Sequence, residues 1–112
     1  MKIFLFSLFI GLTSQTSSVK VLEKDNFQVL MQQESQVIDV RTPEEYALGY
    51  IEGAILIDYK AADFHASISA LNRNVTYLIY CRSGNRSGKA SIIMDSLGFK
   101  KIYDLKGGYM NW

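Results

Sequence analysis

Covalent and metallic staples are scarce in this sequence. One cysteine in 112 residues excludes an internal disulfide and a Cys-x-x-Cys redox pair. With a single histidine, His65, beside it, no zinc site is expected. A charge excess is missing as well. Twelve basic residues face eleven acidic ones, and losing Lys2 with a leader would balance them, so there is no electrostatic footprint for nucleic acid or for an anionic membrane. No apolar run reaches the ~20 residues that span a bilayer. Beyond Ser18 there is no repeat, linker or low-complexity stretch. What is present is an ordinary globular composition, 48% apolar with a single proline, long enough for one domain to bury a core without disulfides or metals.

Residues 1–18 differ from the rest. Lys2, the apolar run from Ile3 to Leu12 and the small polar run from Thr13 to Ser18 read as a secretory signal peptide. Thr16 and Ser18 fit the small-residue rule for cleavage before Val19, with neighbouring sites in the serine-rich stretch as alternatives. No cysteine follows the run, which excludes a lipoprotein anchor. The expected product is an exported, periplasmic domain of residues 19–112, a monomer with no stable membrane anchor. In an oxidising compartment an unpaired cysteine is a liability, and its retention favours a reactive role.

Along the mature chain, short β-branched runs alternate with amphipathic stretches. Val19 to Leu22 is a first strand. Asp25 is placed to cap a helix, with Gln28 completing a capping box and Phe27, Leu30 and Met31 on one apolar face. Gln36 to Val40 reads as a buried parallel strand. Thr42, Pro43 and Glu45 form a second capping box, and Gly49 ends that helix. A strand from Gly53 to Ile57 follows. A helix from about Asp63 carries Phe64, Ile68 and Leu71 as its stripe, with His65 off it as a surface residue. Val75 to Tyr80 is a strand, Gly88 to Leu97 a helix with Ala90, Ile93, Met94 and Leu97 inward and Gly98 as its stop, and Lys101 to Leu105 the last strand before a Gly107-Gly108 turn. Such alternation implies an α/β fold: a small central parallel sheet flanked by helices, with right-handed crossovers and ligands at the C-terminal ends of strands.

Cys81-Arg82-Ser83-Gly84-Asn85-Arg86-Ser87 lies at such an end. Backbone N–H groups curling into a helix N-terminus, with two arginines near, stabilise negative charge and lower a thiol pKa from its reference near ~8.5. Cys81 is therefore a candidate nucleophile. Asp39 and Arg41 have two readings. In the structural one, Asp39 accepts from turn amides while Arg41 pairs with Glu45 or another carboxylate. In the functional one, both face the ligand. The structural reading is favoured.

The loop Cys-x-x-Gly-x-Arg-Ser resembles the active-site loop of single-domain rhodaneses, the sulfurtransferases. Asp39-Val40-Arg41-Thr42-Pro43-Glu44-Glu45-Tyr46, Gly49-Tyr50-Ile51-Glu52-Gly53-Ala54-Ile55 and Leu105-Lys106-Gly107-Gly108-Tyr109-Met110-Asn111-Trp112 resemble the family's other signatures, in the family's order, from Val19 to Trp112. Many relatives continue their last helix past this tryptophan. The resemblance implies a rhodanese-like sheet with helices on both faces and an Asp39-x-Arg41 signature that is architectural, its arginine bordering the pocket. It also implies sulfur transfer through a Cys81 persulfide, from a donor such as thiosulfate to cyanide, a thiol or a sulfur-accepting protein, without a cofactor. In that chemistry the amides from Arg82 to Ser87, including those of Ser83, Gly84 and Asn85, cradle the anionic sulfur. Arg86 points at the donor's oxyanion or braces the loop, and Arg82 attracts the donor. Ser83 and Ser87 supply hydroxyls or act as turn and N-cap residues. The sequence departs from its family at Tyr50, where histidine is common, and at Leu56, where asparagine is frequent; both bear on substrate preference rather than on the nucleophile. A persulfide carrier without turnover shares the signature. A cysteine phosphatase or arsenate reductase needs Cys-x5-Arg, and here Ser87 holds that position.

Overall fold

The computed structural model describes residues 17–112. The leader assigned to residues 1–18 therefore lies, up to residue 16, outside the described residues. Five strands, β1 (Val19–Leu22), β2 (Gln36–Asp39), β3 (Ile55–Leu56), β4 (Thr76–Tyr80) and β5 (Lys101–Leu105), alternate with helices α1 (Lys24–Met31), α2 (Pro43–Ala47), α3 (Phe64–Ser69) and α4 (Asn85–Ser96). A 3₁₀ turn, Gly108–Asn111, follows β5. All pairings are parallel, in the order β1-β5-β4-β2-β3. From β4 the chain continues to one side of the sheet, into β5, and from β2 to the other, into β3. The crevice at the C-terminal ends of β2 and β4 is thus the topological switch point, where open α/β sheets bind ligands.

Strand parity sorts the core into two layers. Tyr77 and Ile79 of β4 join Ile38, Ala90, Met94 and Ile102 on the face covered by α3 and α4. Leu78 and Tyr80 join Phe27, Val37 and Leu105 on the face covered by α1. Cys81 is two residues beyond Ile79, so the same parity turns its side chain toward α4.

Three elements start two or more residues away from where the sequence reading places them. The helix expected to be capped by Asp25 and Gln28 starts earlier. Glu23 is its N-cap, with no side-chain cap bond, and Phe27 N–H closes the first turn on Glu23 O at 3.0 Å. This start brings Phe27 into the core, and Asp25 falls in the first turn, where its charge complements the helix dipole. β3 begins at Ile55 rather than Gly53 because Gly53 is a turn residue with φ +84°. α4 begins at Asn85, not Gly88. Its N-cap is Gly84 at φ +110°, a left-handed conformation that a side chain resists, and the tight turn makes Asn85, Arg86 and Ser87 its first helical residues. The capping box of α2 forms as expected, with Glu45 N–H donating to Thr42 Oγ1 at 3.3 Å and Thr42 N–H to Glu45 Oε1 at 3.1 Å. α4 ends in a Schellman motif, Phe99 N–H to Met94 O at 3.2 Å and Gly98 N–H to Asp95 O at 3.1 Å.

Candidate active site

Cys81 follows β4 directly and is 1% exposed. Gly84 N–H donates to its Sγ at 3.1 Å, and Ser87 Oγ lies 3.4 Å from Sγ. Burial pushes the thiol pKa up, but hydrogen bonds from the Ser87 hydroxyl and from the amides of Ser87, Gly84 and Ser83 outweigh it and hold the thiol below its ordinary value. The loop is fixed from outside by the turn after β5. Tyr109 N–H donates to Cys81 O at 2.8 Å and Met110 N–H to Arg82 O at 3.0 Å. This close approach requires glycine at 108: a Cβ there would stand 2.5 Å from Arg82 O and 2.6 Å from Cys81 O.

The arginines have distinct roles. Arg86 makes a bidentate pair with Glu45, at 2.7 and 3.0 Å, and so braces the start of α4 against α2. The hydrogen bond from Arg86 holds the Glu45 carboxyl down at about 2. Of the two readings for Arg86, bracing of the loop is the one whose contacts the structure forms. With Glu45 occupied, Arg41 pairs with Asp39 instead. Its Nη2 reaches Oδ2 at 2.7 Å, and its own amide donates to Oδ1 at 2.9 Å. One turn residue between them lets the side chain fold back onto the carboxylate, while Nη2 also donates to Gly49 O at 2.7 Å. The guanidinium stacks 4.3 Å from the Tyr109 ring. Asp39 is fully buried and accepts from Tyr80 Oη at 2.6 Å, which in turn accepts from Ile51 N–H at 3.0 Å. Burial and the neighbouring carboxylate push the Tyr80 pKa up. Asp39 and Arg41 thus form an architectural pair that ties β2 to β4 beside the cysteine.

Arg82 is exposed, as are Ser83 and Asn85. A cleft of about 240 Å³ beside the loop is lined by Arg41, Glu45, Leu48, Arg82, Tyr109 and Met110. Ser87 is fully buried inside the first turn of α4, so it is not the N-cap, a position taken by Gly84. Tyr50 packs at a tilt against Tyr46 with ring centroids 4.0 Å apart and does not line the cleft; Leu56 is half-buried in β3. Sequence reasoning did not find Tyr80, the pairing of Glu45 with Arg86, or the contact of Gly108 with the loop. All three depend on partners far along the chain, and no local spacing encodes them. Among the described residues, no cluster of three His, Cys, Asp or Glu side chains could hold a metal ion.

A cysteine thiol cradled by amides at the switch point of a five-stranded parallel sheet defines a rhodanese-type enzyme. The chain belongs to the Rhodanese-like domain family, whose profile matches residues 23–112. It is 33% identical to the thiosulfate sulfurtransferase GlpE of Pseudomonas fluorescens over 97 residues, 86% of each chain. With thiosulfate sulfurtransferase 18 of Arabidopsis thaliana it shares 31% identity, covering 91% of this chain and 85% of the plant protein. The crystal structure of a rhodanese-like domain protein from Staphylococcus aureus superposes with a TM-score of 0.74 at 30% identity, covering 83% of this chain and 90% of that one.

Proposed function

We propose that this chain is a sulfurtransferase that moves a sulfane sulfur through a Cys81 persulfide. The observation that carries the reading is the seat of the thiol: Sγ receives the Gly84 amide at 3.1 Å and lies 3.4 Å from Ser87 Oγ, a donor set suited to anionic sulfur. The Cys81 thiolate attacks the outer sulfur of thiosulfate, the donor's S–S bond breaks, and sulfite leaves with the electron pair. Cyanide or a thiol then attacks the outer sulfur of the persulfide, which returns the Cys81 thiolate. Exposed Arg82 attracts the anionic donor, and Arg86, held by Glu45, stiffens the cradle. Because Arg86 is engaged and Ser87 stands at the position of a phosphatase arginine, the geometry favours sulfur over phosphate.

Mixing the reduced protein with thiosulfate should add the mass of one sulfur atom, and cyanide should remove it as thiocyanate. Cys81→Ser should abolish both steps, because a hydroxyl forms no persulfide. Mass spectrometry that finds no sulfur on the reduced protein from thiosulfate or any other donor would overturn the assignment.

A further inference from the structure

The cleft beside the cysteine loop has apolar walls that the proposed steps do not use. Leu48 closes the C-terminal end of α2, its N–H donating to Glu45 O at 3.2 Å, and it is 92% exposed. Met110 sits in the turn after β5, its N–H on Arg82 O, and is 62% exposed. Neither side chain packs into either layer of the core. Isolated exposed apolar side chains are ordinary, but these two come from different elements and line one cleft together with Tyr109. Thiosulfate and cyanide have no hydrocarbon to set against them.

The polar lining favours an anion. Arg82 is exposed, and its guanidinium forms no ion pair among the described residues. Arg41 is 4% exposed and commits Nε and Nη2 to Asp39 and to Gly49 O, which leaves Nη1 without a hydrogen-bond partner among the described residues. Arg41 lines the cleft, so a buried guanidinium has an unused donor edge there. Glu45, the carboxylate of the lining, is taken up by Arg86 through both oxygens. The volume, about 240 Å³, is below the ~300–1,000 Å³ of sites for drug-sized ligands, which suits a small molecule rather than a peptide.

We propose that the cleft is the acceptor subsite and selects small thiols that carry a carboxylate on an apolar body. Leu48 and Met110 are its specificity-determining residues. With the Tyr109 ring they take the hydrocarbon, while Arg82 and the unused edge of Arg41 take the carboxylate. Arg82 directly follows Cys81, so an acceptor held there is one residue from the nucleophile. The acceptor thiol loses its proton to water, and the thiolate attacks the outer sulfur of the Cys81 persulfide. The persulfide S–S bond breaks, its electron pair returns to Cys81 Sγ, and an organic persulfide leaves. The inference rests on the Cys81 persulfide of the proposed sulfur transfer.

The test compares the second-order rate constants with which acceptors remove sulfur from protein preloaded with thiosulfate. Mercaptohexanoate should exceed mercaptopropionate by about tenfold, because its additional methylenes gain apolar contact, and should exceed neutral mercaptohexanol by about threefold. In Leu48→Ser/Met110→Ser the chain-length ratio should fall to near unity, and in Arg82→Gln the carboxylate ratio should do so. Each ratio is taken within one variant, so a general loss of activity does not imitate the effect. A wild-type chain-length ratio near unity, or one that the double substitution leaves in place, would overturn the subsite. Heptanoate, which has the body and the carboxylate but no thiol, gives a reading free of sulfur chemistry. On titration the amide NMR signals of Leu48, Gly49, Arg82 and Met110 should shift in the wild type and stay in place in the double variant. Shifts confined to other surfaces would overturn the subsite. Heptanoate binding in the cleft of a protein that loads no sulfur would support the ligand class and overturn the sulfur-transfer reading. Sulfur loading with neither heptanoate binding nor chain-length preference would overturn the subsite alone.

Discussion

Glu45 makes two local contacts to Thr42 and one long-range pair with Arg86, so a single carboxylate caps α2 and braces the cysteine loop. Its folded pKa of about 2 lies below the unfolded reference near ~4.3. The contribution is therefore present above the unfolded value and is lost as pH falls toward 2. Because the pair is partly solvated, about 1 kcal/mol is expected at neutral pH. Denaturant titrations should show Glu45→Gln less stable than the wild type by about that amount at pH 7, and the difference should narrow steadily between pH 5 and pH 2. At this scale the sequence was legible where a partner sits three residues away, as in the Thr42–Glu45 box. It was not legible for the pair between Glu45 and Arg86, which the chain closes only through the sheet.

At the scale of elements, the glycines at turns separate space from conformation. Gly53 has φ +84° with nothing within 4 Å of where a Cβ would stand, whereas Gly108 has φ +64° with two backbone carbonyls in the way. Gly53→Ala should cost about 1 kcal/mol in thermal denaturation and leave sulfur loading unchanged. Gly108→Ala should cost about 1–3 kcal/mol and also slow loading, because it pushes the turn off the Cys81 loop. Equal loading rates in the two variants would refute the bracing role of the turn. The alternation of strands and helices and the helix stripes were readable from periodicity: Phe64 is buried, and Ile68, Ala90 and Met94 are fully so. Helix starts were less readable. The onset at Asn85 depends on the left-handed turn at Gly84, a backbone choice that the apolar stripe beginning at Ala90 does not register.

For the whole molecule, β1 is the first strand of the described residues. Ile102 N–H donates to Ser18 O at 3.3 Å and Ser18 N–H to Asp95 Oδ1 at 3.0 Å, so the β1–β5 ladder reaches one residue into the stretch assigned to the leader. Export should remove that leader. N-terminal sequencing of the mature protein should place the cut between Thr13 and Val19, and a start at Met1 in protein recovered from washed membranes would refute export. No helix of the described residues is long and apolar enough to cross a membrane.

The turn after β5 has a further consequence for the loop. All peptide bonds of the described chain are trans, so in each peptide unit the carbonyl and the following N–H point in opposite directions. Met110 holds Arg82 O outward at 3.0 Å, and the Ser83 N–H of that same peptide plane is thereby turned inward, onto the sulfur it helps to stabilise. The polarity of the cradle is thus set by a segment that leaves the ribosome after the nucleophile does. Without that contact the Ser83 amide is free to turn away, and the Cys81 thiol should lose that part of its acidity.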